Sequence, residues 1–286
     1  MNAPMTASIY QFNTLIQGNP NHPWLFFLHG FLGDSRDFET IISQLCDRFY
    51  CIAIDLPGHG KTIVQADRDP VVAYGMESTG EGLIAFLQSV AQSSHGNLGN
   101  SQKMGLVGYS MGGRLGLFLL FQYPHFFYGG VLESASPGLK TAAERSLRQA
   151  QDFYQARQLE TQDFETFLEH WYKQPLFRSI KQQKNFAQLL HRRQQGNPHQ
   201  LAQSLRYLGL GTQSSLWLQL SDNRIPLLFL VGEADNKFRG INQEMVDRCP
   251  FSQLQIMAGA SHNCHFSHPV LFANTVRSFF ETQVKL

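Results

Sequence analysis

The chain has 286 residues, 43% of them hydrophobic, which is enough for one large core or for a core with an inserted subdomain. Lys and Arg total 23 against 22 Asp and Glu, a formal net charge of +1. No overall field therefore selects nucleic acid or an anionic membrane, and any anion specificity must come from local clusters of basic side chains. No apolar run approaches the ~18 residues needed to cross a bilayer, and "MNAPMTASIYQFNTLIQGNP" has no basic stretch leading into an apolar one, as a signal peptide would. The four cysteines, Cys46, Cys51, Cys249 and Cys264, show no CxxC spacing and make no disulfide framework in a chain of this length. Buried reduced thiols and a cytoplasmic location are expected.

In chain order, short apolar runs alternate with helical patterns. "WLFFL" (Trp24 to Leu28) ends at "HGFLG", and "DFETIISQL" follows with helical spacing. "FYCIAID" (Phe49 to Asp55) ends at "LPGHGKT" and is followed by the helical "GEGLIAFLQSV". A polar, Gly-rich stretch, Gln92 to Lys103, reads as a surface loop. "MGLVGYS" then leads into "MGGRLGLFLLFQY", and "GGVLESASPG" (Gly129 to Gly138) gives a fourth run. Continuous apolar runs are the mark of strands buried on both faces, and their alternation with helices implies a mostly parallel sheet.

From about residue 138 to 215 the buried-strand runs stop, and Gln, Arg and aromatic residues dominate amphipathic helical patterns. The strand signal returns in "IPLLFLVGEAD" and "SQLQIMAGASH", and "PVLFANTVRSFFETQ" closes the chain as a helix. The expected architecture is an α/β core, residues 1–137 and 216–286, interrupted by a helical cap at 138–215. Chemistry on such a sheet sits at the carboxyl ends of the strands, and each of these turn motifs falls at such an end.

Gly108-Tyr109-Ser110-Met111-Gly112 fits the G-x-S-x-G turn that exposes a nucleophile between a strand and a helix. The pattern alone is weak, but an apolar strand before it and a helix after it strengthen the reading. A serine hydroxyl is a poor nucleophile or base unless an imidazole, oriented by a carboxylate, assists it. The order serine, acid, histidine is met after the cap by Asp235, just past one strand, and His262, just past the next. Glu233 is the rival acid but sits nearer its strand. His265 is the rival histidine, and two histidines three residues apart with no nearby carboxylate in sequence are weak evidence for a metal. An oxyanion needs backbone donors; Met111 follows the serine at a helix N-terminus, and Phe31 lies in the loop after the first core strand. His29 and His59 are read as braces of their own loops.

Arg114 lies one helical turn beyond Ser110 and shares its helix face. A buried guanidinium needs a partner, so Arg114 either lines the same pocket or pairs with a core carboxylate such as Glu133. Arg148 and Arg192 in the cap, and Lys237 beside Asp235, read by themselves as solvated groups, and Trp171 reads as cap core.

Together, "FLHGFLGD", "DLPGHG", "LVGYSMGGRLG", "ESASPGL", "WYKQPLF", "GEADNKF" and "ASHNCHFSHP" resemble the 2-succinyl-6-hydroxy-2,4-cyclohexadiene-1-carboxylate synthases, lyases of the α/β-hydrolase fold in menaquinone and phylloquinone biosynthesis. The resemblance runs from about Trp24 to the C-terminus. It departs at Ser261, where a glycine often precedes the histidine.

The resemblance implies elimination of pyruvate from an enolpyruvyl cyclohexene substrate. Ser110, Asp235 and His262 would remove a carbon-bound proton, and the Phe31 and Met111 amides would hold the enolate. It also implies that Arg114, Arg148, Arg192 and Lys237 clamp the carboxylates of a small polycarboxylate substrate, with Tyr109 and Trp171 shaping the pocket beside them. Arg193 is the neighbour that a change of helix register would substitute for Arg192. No bound cofactor, metal, nucleic acid or membrane insertion is implied, and a monomer is expected. Two other functions fit the same fold: a serine hydrolase of an ester or C–C bond in an anionic substrate, and a non-catalytic ligand-binding protein. The arginine cluster separates the lyase from an ordinary hydrolase, since neutral esters do not need it.

Overall fold

The computed structural model describes residues 9–65, 68–94, 103–177 and 179–283. They form strands β1 (Tyr10–Gln11), β2 (Thr14–Gln17), β3 (Trp24–Leu28), β4 (Tyr50–Ile54), β5 (Ile63–Val64), β6 (Met104–Tyr109), β7 (Phe127–Glu133), β8 (Leu227–Gly232) and β9 (Ser252–Met257). The main sheet has seven strands in the order β2-β4-β3-β6-β7-β8-β9. Only β2 runs antiparallel to its neighbour. β1 and β5 make a separate two-stranded pair.

The core helices are α1 (Glu39–Leu45), α2 (Pro70–Tyr74), α3 (Met76–Ser94) and α4 (Met111–Gln122). Between β7 and β8 come α5 (Ala142–Thr161), α6 (Phe164–Tyr172), α7 (Phe186–Gln194) and α8 (Pro198–Tyr207). The chain then adds α9 (Asn236–Arg248), α10 (Cys264–Ser267) and α11 (Pro269–Gln283). Gln92–Ser94 belong to α3 rather than to the surface loop expected there, and the remainder of that expected loop, apart from Lys103, lies outside the described residues.

The continuous apolar runs are explained by two cores, one on each face of the sheet. Along β3, Trp24, Phe26 and Leu28 join one core, with Leu83 and Leu87 of α3 and Leu115 and Leu117 of α4. Leu25 and Phe27 point the other way, into a core with Ile41, Ile42 and Leu45 of α1 and Phe272, Val276 and Phe280 of α11. With side chains alternating across the pleat and helices covering both faces, neither set can be polar. A third core belongs to the inserted helices and includes Ala156, Leu159, Phe167, Leu168, Leu189, Leu201 and Leu205. Leu32, from the loop after β3, packs into it and so joins the insertion to the sheet. Among the described residues, no helix is long and apolar enough to cross a membrane. All four cysteines are free; three are buried, and Cys46 is half-buried.

Candidate functional site

In-register parallel pairing brings the strand ends together. Leu28 lies opposite Gly108, and Tyr109 opposite Glu133. The segments that leave β3, β6, β7, β8 and β9 therefore emerge along one edge of the sheet and carry Phe31, Ser110, Ser134, Asp235 and His262.

The turn at Ser110 is tight enough to explain its glycines. A Cβ on Gly112 would sit 2.2 Å from the Leu28 carbonyl oxygen, and one on Gly108 would sit 2.6 Å from the Gly112 carbonyl oxygen. Real Cβ atoms do not approach that closely, so strand and helix can meet only through glycine. Ser110 itself takes φ 50 and ψ −106, a left-handed conformation uncommon for a residue with a side chain. Its amide donates to the Glu133 carbonyl at 2.9 Å, which ties the strained turn to the neighbouring strand end.

His262 Nε2 lies 3.3 Å from Ser110 Oγ, and His262 Nδ1 lies 2.7 Å from Asp235 Oδ2. Asp235 and His262 are both buried. The carboxylate fixes the tautomer: with Nδ1–H donating to Asp235, Nε2 is left to accept from the serine hydroxyl. Asp235 also accepts from the Phe238 amide at 3.3 Å, as the N-cap of α9. The two rivals are engaged elsewhere. Glu233 is exposed and accepts from the Gly259 amide at 3.0 Å. His265 is buried and donates Nδ1–H to Glu133 at 2.7 Å, a carboxylate far away in sequence. Glu133 is therefore not the partner of Arg114.

Met111 is the first residue of α4, where amides lack acceptors within the helix. It lines a cavity of about 620 Å³ together with Phe31, Ser110, Tyr109 and His262. The Phe31 loop is braced as expected. Its His29 accepts from the Leu56 amide at 3.0 Å through Nε2, and Nδ1–H donates to the Gly30 carbonyl at 2.7 Å. His59 packs on the His29 and Phe31 rings, and burial, then the neighbouring His29, hold its pKa well below the usual value. Asp55 holds the next loop by accepting from the Ser35 and Lys61 amides at 2.7 and 2.8 Å.

Arg114, Arg148, Lys237, Tyr109 and Trp171 all line this cavity. The Tyr109 ring packs against both His262 and His265, with centroids 5.5 and 4.6 Å away, and its hydroxyl accepts from Asn263. Burial, then the Glu133 charge, raise its pKa well above the ordinary phenol value. Trp171 stands against Phe31 at 5.1 Å. Arg148 donates Nε–H to buried Asp152 at 2.7 Å.

Arg114 is buried and donates to Gln213 Oε1 at 2.7 Å and to the Leu208 carbonyl at 2.9 Å. No carboxylate oxygen among the described residues lies within 4.0 Å of it. Burial, then the charge on Arg148, push its pKa down to about 10. The Asp152 charge offsets this only in part, so a buried cation faces the cavity.

Arg192 does not line this cavity. It faces a separate crevice of about 140 Å³ with Arg36 and Lys61, and it donates to the Arg36 carbonyl at 3.1 Å. The next residue, Arg193, borders that crevice too but also lines the cavity. Its Nη2 donates to Asp37 at 2.7 Å and its Nε to the Tyr172 hydroxyl at 3.3 Å, while buried Nη1 has no partner among the described residues. Burial opposes its charge, but Asp37 and Tyr172 more than offset this and raise its pKa. Lys140 and Ser134 are among the further residues that line the cavity. Lys140 is held by Glu244 at 2.5 Å and sits over the Trp217 ring. Ser261 reaches the inserted segment by a hydrogen bond between its hydroxyl and that of Ser179. Among the described residues, no group of three His, Cys, Asp or Glu side chains could hold a metal.

A family model described as the α/β-hydrolase fold matches residues 23–269. The 2-succinyl-6-hydroxy-2,4-cyclohexadiene-1-carboxylate synthase of Serratia proteamaculans is 33% identical over 93% of this chain and 96% of its own length. The synthase of the same name from Citrobacter koseri is 34% identical over 88% of this chain and 91% of its own. The solved structure of MenH from S. aureus superposes with a TM-score of 0.85 at 29% identity, over 96% of this chain and 99% of that one. The chain belongs to the α/β-hydrolase-fold family of 2-succinyl-6-hydroxy-2,4-cyclohexadiene-1-carboxylate synthases.

Proposed function

We propose that the protein is a lyase that eliminates pyruvate from 2-succinyl-5-enolpyruvyl-6-hydroxy-3-cyclohexene-1-carboxylate to give 2-succinyl-6-hydroxy-2,4-cyclohexadiene-1-carboxylate. One observation carries this reading beyond family membership. The cavity that receives Ser110 also receives Arg114, a buried cation with no carboxylate oxygen within 4.0 Å among the described residues. A neutral ester has no use for it, whereas a substrate with several carboxylates does.

In the proposed reaction, His262 Nε2 takes the serine proton as Ser110 Oγ removes the hydrogen on the ring carbon beside the succinyl carbonyl. Asp235 stabilises the imidazolium that forms, without itself taking the proton. Charge develops on the carbonyl oxygen, where the Phe31 and Met111 amides stabilise it. The ring electrons shift, the carbon–oxygen bond to the enolpyruvyl group breaks, and the leaving oxygen takes the proton held by His262, so pyruvate departs as its enol while Ser110 keeps the hydrogen removed from the ring. No acyl-enzyme forms. The segment 138–215 serves as a cap whose Arg148 and Arg193, with Arg114 and Lys237 from the core, hold the substrate carboxylates. Free cysteines suit a cytoplasmic enzyme.

The test is a side-by-side assay of the purified chain. Pyruvate release from the enolpyruvyl substrate is followed with lactate dehydrogenase, and a p-nitrophenyl ester is run in parallel. Fast pyruvate release with little ester cleavage is expected. Ester cleavage without pyruvate would make the protein a hydrolase of some other anionic substrate.

The two adjacent cap arginines make a sharper check. Arg193→Lys keeps the charge but loses the planar fork, and KM is expected to rise about tenfold. Arg192→Lys, facing the other crevice, is expected to change KM by less than about threefold. Equal effects on KM, or a larger one at Arg192, would contradict the assignment.

A further inference from the structure

The chain leaves β7 through the stretch "ESASPG". Its first two residues sit at the end of β7, and both are fully buried. Between them they touch all three members of the Ser110–His262–Asp235 line. The Glu133 carbonyl accepts from the Ser110 amide at 2.9 Å. The Glu133 carboxylate accepts from the His265 amide at 3.2 Å and from the His265 ring at 2.7 Å, pinning the turn three residues after His262. Ser134 Oγ lies 3.4 Å from Asp235 Oδ2 and 3.2 Å from the His262 carbonyl oxygen. Its single proton can serve one of these acceptors at a time.

Neither residue is the cheap choice for its place. A carboxylate is costly to bury unless its oxygens are occupied, as these are. Ser134 has φ 47, a left-handed conformation that glycine adopts without strain. Glycine there would remove the strain and with it the hydroxyl between the acid and the histidine loop. Strain of this kind persists where the surroundings over-determine it, most often beside a site.

We propose that Glu133 and Ser134 are positioning residues that hold the serine turn, the acid and the histidine loop in one frame and so set the 3.3 Å separation of Ser110 and His262. The inference rests on the proposed role of that triad. It adds that the triad is positioned from a strand that contributes none of its members.

The experiment compares Ser134→Ala, Ser134→Gly and Glu133→Gln with the unmodified chain and with Ser110→Ala, measuring kcat and KM for pyruvate release and the thermal midpoint of each. Both Ser134 variants are expected to lose about tenfold in kcat with KM unchanged to within about twofold, because positioning acts on the reacting atoms and leaves the carboxylate clamps intact. Ser134→Gly should melt above Ser134→Ala, having shed the backbone strain, yet be no more active. Glu133→Gln should likewise lose kcat and keep KM. The Ser134 pair decides the matter even if Glu133→Gln fails to fold.

Wild-type kcat in both Ser134 variants, or activity restored by glycine in step with the melting temperature, would overturn the positioning role while an inactive Ser110→Ala left the triad standing. Full turnover by Ser110→Ala would remove the triad and the positioning role with it.

Discussion

Ser110→Ala is expected to reduce pyruvate release on the order of a thousandfold or more, with the melting temperature within about 2 °C of the parent. Alanine keeps the turn and its left-handed backbone, so the strain at φ 50 is present in both proteins and cancels from the comparison. What is lost is the oxygen that lies 3.3 Å from His262 Nε2 and would meet the substrate hydrogen. Binding should survive, since the arginines and the Phe31 and Met111 amides are untouched, and KM should change little. Steady-state pyruvate release and thermal unfolding read both quantities. Near-normal turnover would remove the serine from the mechanism and leave His262 acting alone on the substrate.

The second large effect is expected at Arg114. Arg114→Met should lower kcat/KM about a hundredfold, the loss typical when one partner of a buried charge pair is removed. Stability should respond very differently. A pKa pushed from 12.5 down to about 10 means that folding opposes the charge, by about 3 kcal/mol at neutral pH. The sign follows from the unfolded chain, which holds this proton more tightly than the folded one. The penalty is present in full below the folded pKa and is relieved only as the pH rises through it.

Methionine abolishes that penalty but leaves Gln213 and the Leu208 carbonyl without their donor, at about 1–3 kcal/mol for each acceptor. The two terms are of similar size, so the melting temperature should stay within a few degrees. A large fall in melting temperature with unchanged kinetics would make Arg114 a support for the 208–213 segment and nothing more.

How much of this was legible depended on how local the cause was. The nucleophile turn could be read because its glycine signature lies within five residues, even though the backbone that a Cβ on Gly112 would strike belongs to Leu28 of β3. β3, β6 and β8 could be read because both faces of the sheet are covered, which leaves no polar positions. β1, β2 and β5 gave no such signal, being two to four residues long and partly exposed. Helix α9 carries no clear apolar stripe either, since its sequence "NKFRGINQEMVDR" buries only Asn242 and Met245.

At the site, the failures were those of rotation and of distant pairing. Adjacent residues on a helix point about 100° apart, so choosing Arg192 over Arg193 required the orientation of α7, which no local pattern reveals. The partners of Arg114 are 99 and 94 residues away, and Glu133 meets His265 across 132. The Arg114 contacts depend on where the 208–213 segment after α8 is placed, and the Glu133–His265 contact on the sheet order, which brings the "ESASPG" stretch beneath the triad.

In the proposed chemistry Ser110 and His262 act together as a base, and the serine does not attack the substrate. The most direct measurement is intact mass of the enzyme, acid-quenched during steady turnover of the enolpyruvyl substrate while pyruvate accumulates. The expected spectrum is that of the unmodified chain at every time point. A covalent mass increment that appears during turnover, maps to Ser110 and decays as substrate is exhausted would show an acyl-enzyme and contradict the proposed chemistry.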